Sequence, residues 1–161
     1  MTGGAFSGLF IDRAEDGCWE VMLTGSRRLH ADETVKIEGR NEETIPMKLI
    51  ESLGEGRWLV RVDAPGQPEE ILDRVGEVPL PPYIHRGHDD PASPDDDRRR
   101  YQTIYARVPG AIAAPTAGLH LTDTLLDRIR SRGIEVAFVT LHVGVGTFKP
   151  ISADRIADHV M

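Results

Sequence analysis

Gly110-Ala-Ile-Ala-Ala-Pro-Thr-Ala-Gly-Leu-His120 is almost free of bulk. It holds one proline, two glycines and a single ionisable group at its end. Such a run makes a poor hydrophobic core. It suits a place where backbone must come close to something else, because glycine and alanine leave room and expose N–H groups. A helical pattern follows: Thr122 in an N-cap position, Leu125, Leu126 and Ile129 on one face, and Gly133 as a stop. The first N–H groups of that helix have no intrahelical partner and suit an anionic or polar ligand group. The structural alternative is a tight loop packed against a neighbouring element.

Downstream, Ile134 to Val143 reads Ile-Glu-Val-Ala-Phe-Val-Thr-Leu-His-Val. Its apolar residues fall on both faces, which predicts a strand covered on both sides, as in α/β folds. It runs into Gly144-Val-Gly-Thr-Phe148. Ligand sites in α/β sheets lie beyond the carboxyl ends of the strands. That position is held here by His142, Gly144, Gly146 and Thr147. A dinucleotide fingerprint fails, since the third glycine is missing and Lys149-Pro150 follows where a helix should begin. No phosphate-binding G-x-x-x-x-G-K-[ST] loop and no zinc-spaced Cys or His pair is present.

Upstream, Arg98-Arg-Arg100 leads into Tyr101-Gln-Thr-Ile-Tyr-Ala106. Arginines beside tyrosines and a glutamine suit phosphate contact, base stacking and an edge hydrogen bond. The preceding stretch, His85 to Arg100, holds two histidines, five aspartates and four arginines. His85, His88, Asp89 and Asp90 are of metal-ligating type, but a solvated loop is the expectation, because no regular element fixes their geometry. Pro79-Leu-Pro-Pro-Tyr-Ile84 must be extended. Pro65 to Glu70 is polar and marks a candidate boundary, and Ile71 to Val75 a short helix.

The first half is patterned differently. Phe6 to Ile11, Trp19 to Leu23, Val35 to Ile37, Met47 to Ile50 and Trp58 to Val62 are short apolar runs. Asp12 to Gly17 and Gly54-Glu-Gly56 lie between them as hairpin signals. This spacing predicts a small β-barrel or sandwich. Arg27, Arg28 and His30 form a basic cluster, either a solvated turn or a phosphate contact.

Composition bounds the partners. The 161 residues carry a net charge of −7, which argues against broad, non-specific nucleic-acid binding. The lone Cys18 excludes an intrachain disulfide and fits a reducing cytosol. No apolar stretch approaches the roughly 20 residues that span a bilayer, and no signal segment opens the chain. A cytoplasmic protein without membrane contact is expected.

Four blocks stand in order: Pro79 to Ile84, Arg100 to Ala106, Ala113 to His120 and Val139 to Phe148, with Asp158-His159 near the end. Together they closely resemble the S-adenosylmethionine:tRNA ribosyltransferase-isomerase family of queuosine biosynthesis. Thr2-Gly-Gly4, Trp19-Glu-Val21 and Arg27-Arg-Leu29 look like that family's inserted β-barrel. The resemblance implies an α+β or α/β architecture: a small antiparallel β-barrel domain over 1–75, then part of a larger α/β barrel-like domain over 76–161. It implies transfer and isomerisation of the ribosyl moiety of S-adenosylmethionine onto 7-aminomethyl-7-deazaguanine in the tRNA wobble position, giving epoxyqueuosine. S-adenosylmethionine is then a co-substrate, tRNA the partner, and no metal or further cofactor is implied. The full-length family is expected to be monomeric. The sequence departs from the pattern in being much shorter, starting at the insert, ending at Met161, and carrying Ala5-Phe6 after the glycines. It is therefore expected to be a central fragment, with a non-catalytic RNA- or protein-binding β-barrel module as the alternative.

The implied reaction needs a base to take a proton from the carbon next to the positive sulfur, and an acid to assist the departing adenine. Histidine suits either role. His120 and His142 are the candidates, each with a structural histidine as its alternative. Thr116, Gly118, Gly144, Gly146 and Thr147 would line the pocket. Tyr101 and Gln102 would stack on and hydrogen-bond the base, and Arg100 would contact phosphate.

Overall fold

The structure, a computed structural model, describes residues 5–25, 28–39, 42–81, 84 and 94–144. The chain divides into two compact units, Met1–Glu77 and Val78–Met161.

In the first unit, alternating apolar residues form five strands: β1 (Gly8–Arg13), β2 (Trp19–Leu23), β3 (Thr34–Glu38), β4 (Thr44–Gly54) and β5 (Arg57–Val62). They make one antiparallel sheet in the order β1-β2-β5-β4-β3. The Gly54 signal is a two-residue hairpin loop, with Gly54 paired to Arg57. Glu55 (φ 53°) and Gly56 (φ 80°) both take positive φ, as the turn that matches strand twist requires. The other hairpin loop is shorter than its sequence signal, because Asp12 and Arg13 still pair with Glu20 and Trp19.

Register sets the core. Trp19 and Val21 of β2 face Val60 and Trp58 of β5, and Leu49 of β4 faces Val60 from the other side. A period of two then places Trp19, Val21, Leu23, Ile45, Met47, Leu49, Trp58 and Val60 in one buried cluster. Leu49 and Val60 are fully buried. Each such side chain contributes about 1.5–3 kcal/mol relative to an exposed one. Phe10 packs edge-on against Trp19, with centroids 5.2 Å apart.

Helix α1 (Pro68–Val75) adds Ile71 and Val75 to this cluster. It starts three residues before the expected position, because Pro68 sits at the first helical position and the N–H of Gln67 donates to Glu70 Oε2 at 2.9 Å. Arg13 of β1 donates to Gln67 Oε1 at 3.1 Å and pairs with Glu69. Arg74 pairs with Glu43 at 2.9 Å. Gly39, just beyond β3, lies so close to the helix that a Cβ there would stand 2.5 Å from Val75 Cγ1.

Closure of this sheet into the expected barrel is not seen: β1 and β3 are its two edges, and no pairing joins them among the described residues. Both edges are short and end in charged residues, Asp12-Arg13 and Lys36 with Glu38, which disfavours strand addition.

The second unit holds α2 (Pro94–Arg100), a 3-10 turn (Thr116–His120) and α3 (Asp123–Ser131). The loop expected over His85 to Arg100 is therefore helical from Pro94. Its charge order explains this: Asp95, Asp96 and Asp97 lie in the first turn and Arg98, Arg99 and Arg100 in the last, as the helix dipole favours. Residues 85–93, with His85, His88, Asp89 and Asp90, lie outside the described residues, as do Pro82 and Tyr83. Thr122 caps α3 as expected, its hydroxyl accepting from the N–H of Leu125 at 3.1 Å. Gly133 (φ 75°) ends it.

The strand expected over Ile134 to Val143 is not formed; these residues carry no regular structure. A strand needs a ladder partner. Here the described backbone bonds to residues outside the stretch are one at each end, Ile134 N–H donating to Ile129 O of α3 at 3.4 Å and Ile112 N–H donating to Val143 O at 2.8 Å. The apolar side chains are correspondingly uncovered rather than buried on two sides: Val139 is 93% and Leu141 73% exposed. Among the described residues the architecture is thus α+β, a five-stranded antiparallel sheet followed by three helices. No helix among the described residues is long and apolar enough to cross a membrane.

Candidate functional site

The small-residue run does bring backbone close to other groups, and those groups are side chains of the chain itself. Gly118, in the 3-10 turn, is buried against Tyr105 and Thr103. A Cβ at 118 would stand 2.1 Å from the Tyr105 hydroxyl oxygen and 3.0 Å from Thr103 Cγ2. Gly110, at the start of the run, adopts φ 133°, and a Cβ there would stand 2.4 Å from Nδ1 of His142. The structure therefore joins the run to two of the other sequence blocks. One junction is Gly118 with Thr103 and Tyr105. The other is Gly110 and Ile112 with His142 and Val143.

Local order around the first junction comes from short hydrogen bonds. Tyr101 N–H donates to Asp97 O at 2.8 Å, ending α2. Gln102 Oε1 accepts from Thr103 N–H at 2.9 Å, and Thr103 O accepts from Ala106 N–H at 3.2 Å. Thr103 and Asp97 are buried polar residues. Because the Gln102 carbonyl is engaged, its amide NH2 is the end left to donate. Beyond Tyr105, the Phe138 ring lies 6.2 Å away, tilted by 50°, and the Arg107 guanidinium carbon lies 4.8 Å above the Phe138 ring centre.

The remaining predicted residues are placed as follows. Arg100, Gln102, Thr116, His120, His142 and Gly144 are exposed, and Tyr101 is half-buried. Among the described residues, no hydrogen bond joins His120 to His142. Gly146 and Thr147 lie outside the described residues. Sequence reasoning does not group Tyr105, Arg107 and Phe138: Tyr105 and Arg107 are near neighbours, but Phe138 lies far downstream and no motif spacing links it to them. Among the described residues, no group of three or more His, Cys, Asp or Glu side chains is arranged to hold a metal ion.

The sheet unit has its own polar features. Lys48 of β4 stands opposite Arg61 of β5 in register. Both line a groove of about 320 Å³, with Thr34, Pro46, Val62 and Asp63. A hydrogen bond from Lys48, 2.7 Å away, holds the Asp32 carboxyl below the usual carboxylate range. The His30 backbone N–H does the same for Glu33, and the Arg13 guanidinium for Glu69. His30, of the basic cluster, is thus tied to Glu33; Arg27 lies outside the described residues. Cys18 is buried, with Arg61 Nη2 3.6 Å from its sulfur.

Comparison with known proteins matches residues 1–161 to the family described as queuosine biosynthesis protein. The chain is similar to the S-adenosylmethionine:tRNA ribosyltransferase-isomerase of Trichlorobacter lovleyi, 42% identical over 160 residues, covering 99% of this chain and 44% of the relative. The enzyme of the same name from Staphylococcus haemolyticus is 45% identical over the same shares, and that of Staphylococcus saprophyticus 43%. The chain thus spans less than half the length of these curated relatives. No solved structure matches.

Proposed function

The chain belongs to the queuosine biosynthesis protein family, and on that footing we propose that it serves S-adenosylmethionine-dependent ribosyl transfer and isomerisation on the tRNA wobble base. The acceptor is 7-aminomethyl-7-deazaguanine and the product epoxyqueuosine, with adenine and methionine released. The observation that carries the reading is the similarity at 42–45% identity along 99% of the chain. The apposition of His142 and Gly110 supports it, since it holds a titratable group beside a backbone with no side chain of its own.

In this reading His120 and His142 serve as the acid and base that move protons at the ribose carbon and at the departing adenine. Both are exposed, so either ring is accessible to a substrate. Thr116, Gly118, Gly144, Gly146 and Thr147 line the pocket. The Gln102 amide donates to the base, Tyr101 stacks on it, and Arg100 meets phosphate. The 3-10 turn and the Thr122 cap orient the run that carries Thr116 and His120. The sheet unit and the second unit correspond to the small β-domain and the catalytic domain.

The test is incubation of the protein with S-adenosylmethionine and tRNA carrying the 7-aminomethyl-7-deazaguanine precursor. Adenine release that requires both is expected. RNA binding without adenine release, under conditions where the Staphylococcus haemolyticus relative turns over, would establish the non-catalytic module instead.

A further inference from the structure

We propose that Arg107 and Phe138 form a nucleotide-stacking platform for single-stranded RNA, the ring taking a base and the guanidinium the adjoining phosphate. Three observations carry this. The guanidinium is held 4.8 Å above the Phe138 ring centre. Arg107 makes no ion pair among the described residues, so its charge is not neutralised by a carboxylate of the chain. Phe138 is 43% exposed, and Ile104 and Val108, flanking the same arginine in sequence, are 44% and 56% exposed.

The chemistry of that pair is selective. A planar guanidinium fixed on an aromatic face keeps its N–H edge for bidentate contact with a phosphate. One face of the ring lies under the guanidinium, and the exposed remainder offers a π-surface that any base can use. Tyr105 lies next to the ring, tilted by 50° to it, and its hydroxyl fills the space left by the missing side chain of Gly118. A protein partner would find an unpaired charge in the middle of the patch. A nucleotide satisfies the charge and the ring together. In a chain of net charge −7, such a fixed local cation is a directional feature rather than a general attraction.

This inference rests on the tRNA reading above and adds residues that reading does not use. It is tested by binding the protein to a fluorescently labelled anticodon stem-loop RNA across a salt series, in parallel with the adenine-release assay. Phe138→Leu keeps apolar bulk and removes the π-face; it should weaken binding about tenfold. Arg107→Ala should weaken binding and reduce the magnitude of the slope of log K against log salt by about 0.7. Phe138→Trp should bind as the parent does, with indole fluorescence quenched when RNA is added. Parent-like affinity and slope in both Phe138→Leu and Arg107→Ala would overturn the platform while leaving the tRNA reading intact. Absence of any RNA binding by the parent protein would overturn both.

Discussion

The hydroxyl of Tyr105 occupies the space where a side chain on residue 118 would begin: an ideal Cβ at Gly118 lies 2.1 Å from that oxygen. The glycine is therefore required by a packing contact. Gly118→Ala is expected to destabilise the protein by about 1–3 kcal/mol, the usual cost of overpacking. Tyr105→Phe in the same chain removes the colliding oxygen and should recover part of the loss, because the next atoms are Thr103 Cγ2 at 3.0 Å and Tyr105 Cζ at 3.2 Å. Thermal melts of the two single variants and the double variant form the cycle that checks this. Strict additivity would mean the two residues do not meet.

Gly110 and His142 present a second contact of this kind, with a functional readout. His142→Ala and His120→Ala should each lower turnover on the order of 10²-fold or more, as loss of a general acid or base does. Gly110→Ala should displace the His142 ring and lower turnover too, since both the collision and φ 133° act against a side chain there. Adenine release measures all three. Full activity in both histidine variants would remove them from the proton transfers.

A third prediction concerns how α1 sits on its sheet. Gly39→Ala would push a methyl to within 2.5 Å of Val75 Cγ1 and 3.0 Å of the Val75 backbone. The side chain can yield but the helix backbone cannot do so cheaply, so a loss of about 1–3 kcal/mol is expected. Val75→Ala added to Gly39→Ala relieves only the side-chain part. A melting temperature equal to that of the parent in Gly39→Ala would show that the helix slides freely.

Acid should weaken the sheet unit. Asp32, Glu33 and Glu69 have carboxyls held below their ordinary range, chiefly by hydrogen bonds from Lys48, the His30 backbone and Arg13. A lowered folded value means the contribution is complete above the unfolded value of about 4 and is lost as pH falls through the folded one. These groups are solvent-exposed, so each effect is small. Melting temperature should fall on acidification below about pH 4, and Glu69→Gln should shrink that fall. A fall of equal size in the variant would place the acid sensitivity elsewhere.

The sheet was largely legible because its signals are local. Period-two alternation and the Gly54-Glu-Gly56 turn depend on neighbours in sequence, and β2 and β5 stand almost where the apolar runs place them. α1 and α2 were read short or missed for a related reason: their first turns are made of proline and acidic residues, which read as loop until the cap and the dipole are weighed. The strand over Ile134 to Val143 failed because strand formation depends on a partner, and hydrophobicity does not reveal whether one is present. The site was legible only as small-residue blocks. That glycines 110 and 118 are filled by His142 and Tyr105, and that Arg107 lies on Phe138, are properties of chain folding that no spacing records.

The uncovered run from Ile134 to Gly144 sets how the protein behaves in the hand. Its amides should take up deuterium within moments, while those of β5, between two neighbouring strands, hold their protons until the sheet opens. Among the described residues, a trace amount of protease would cut there before it cut the sheet.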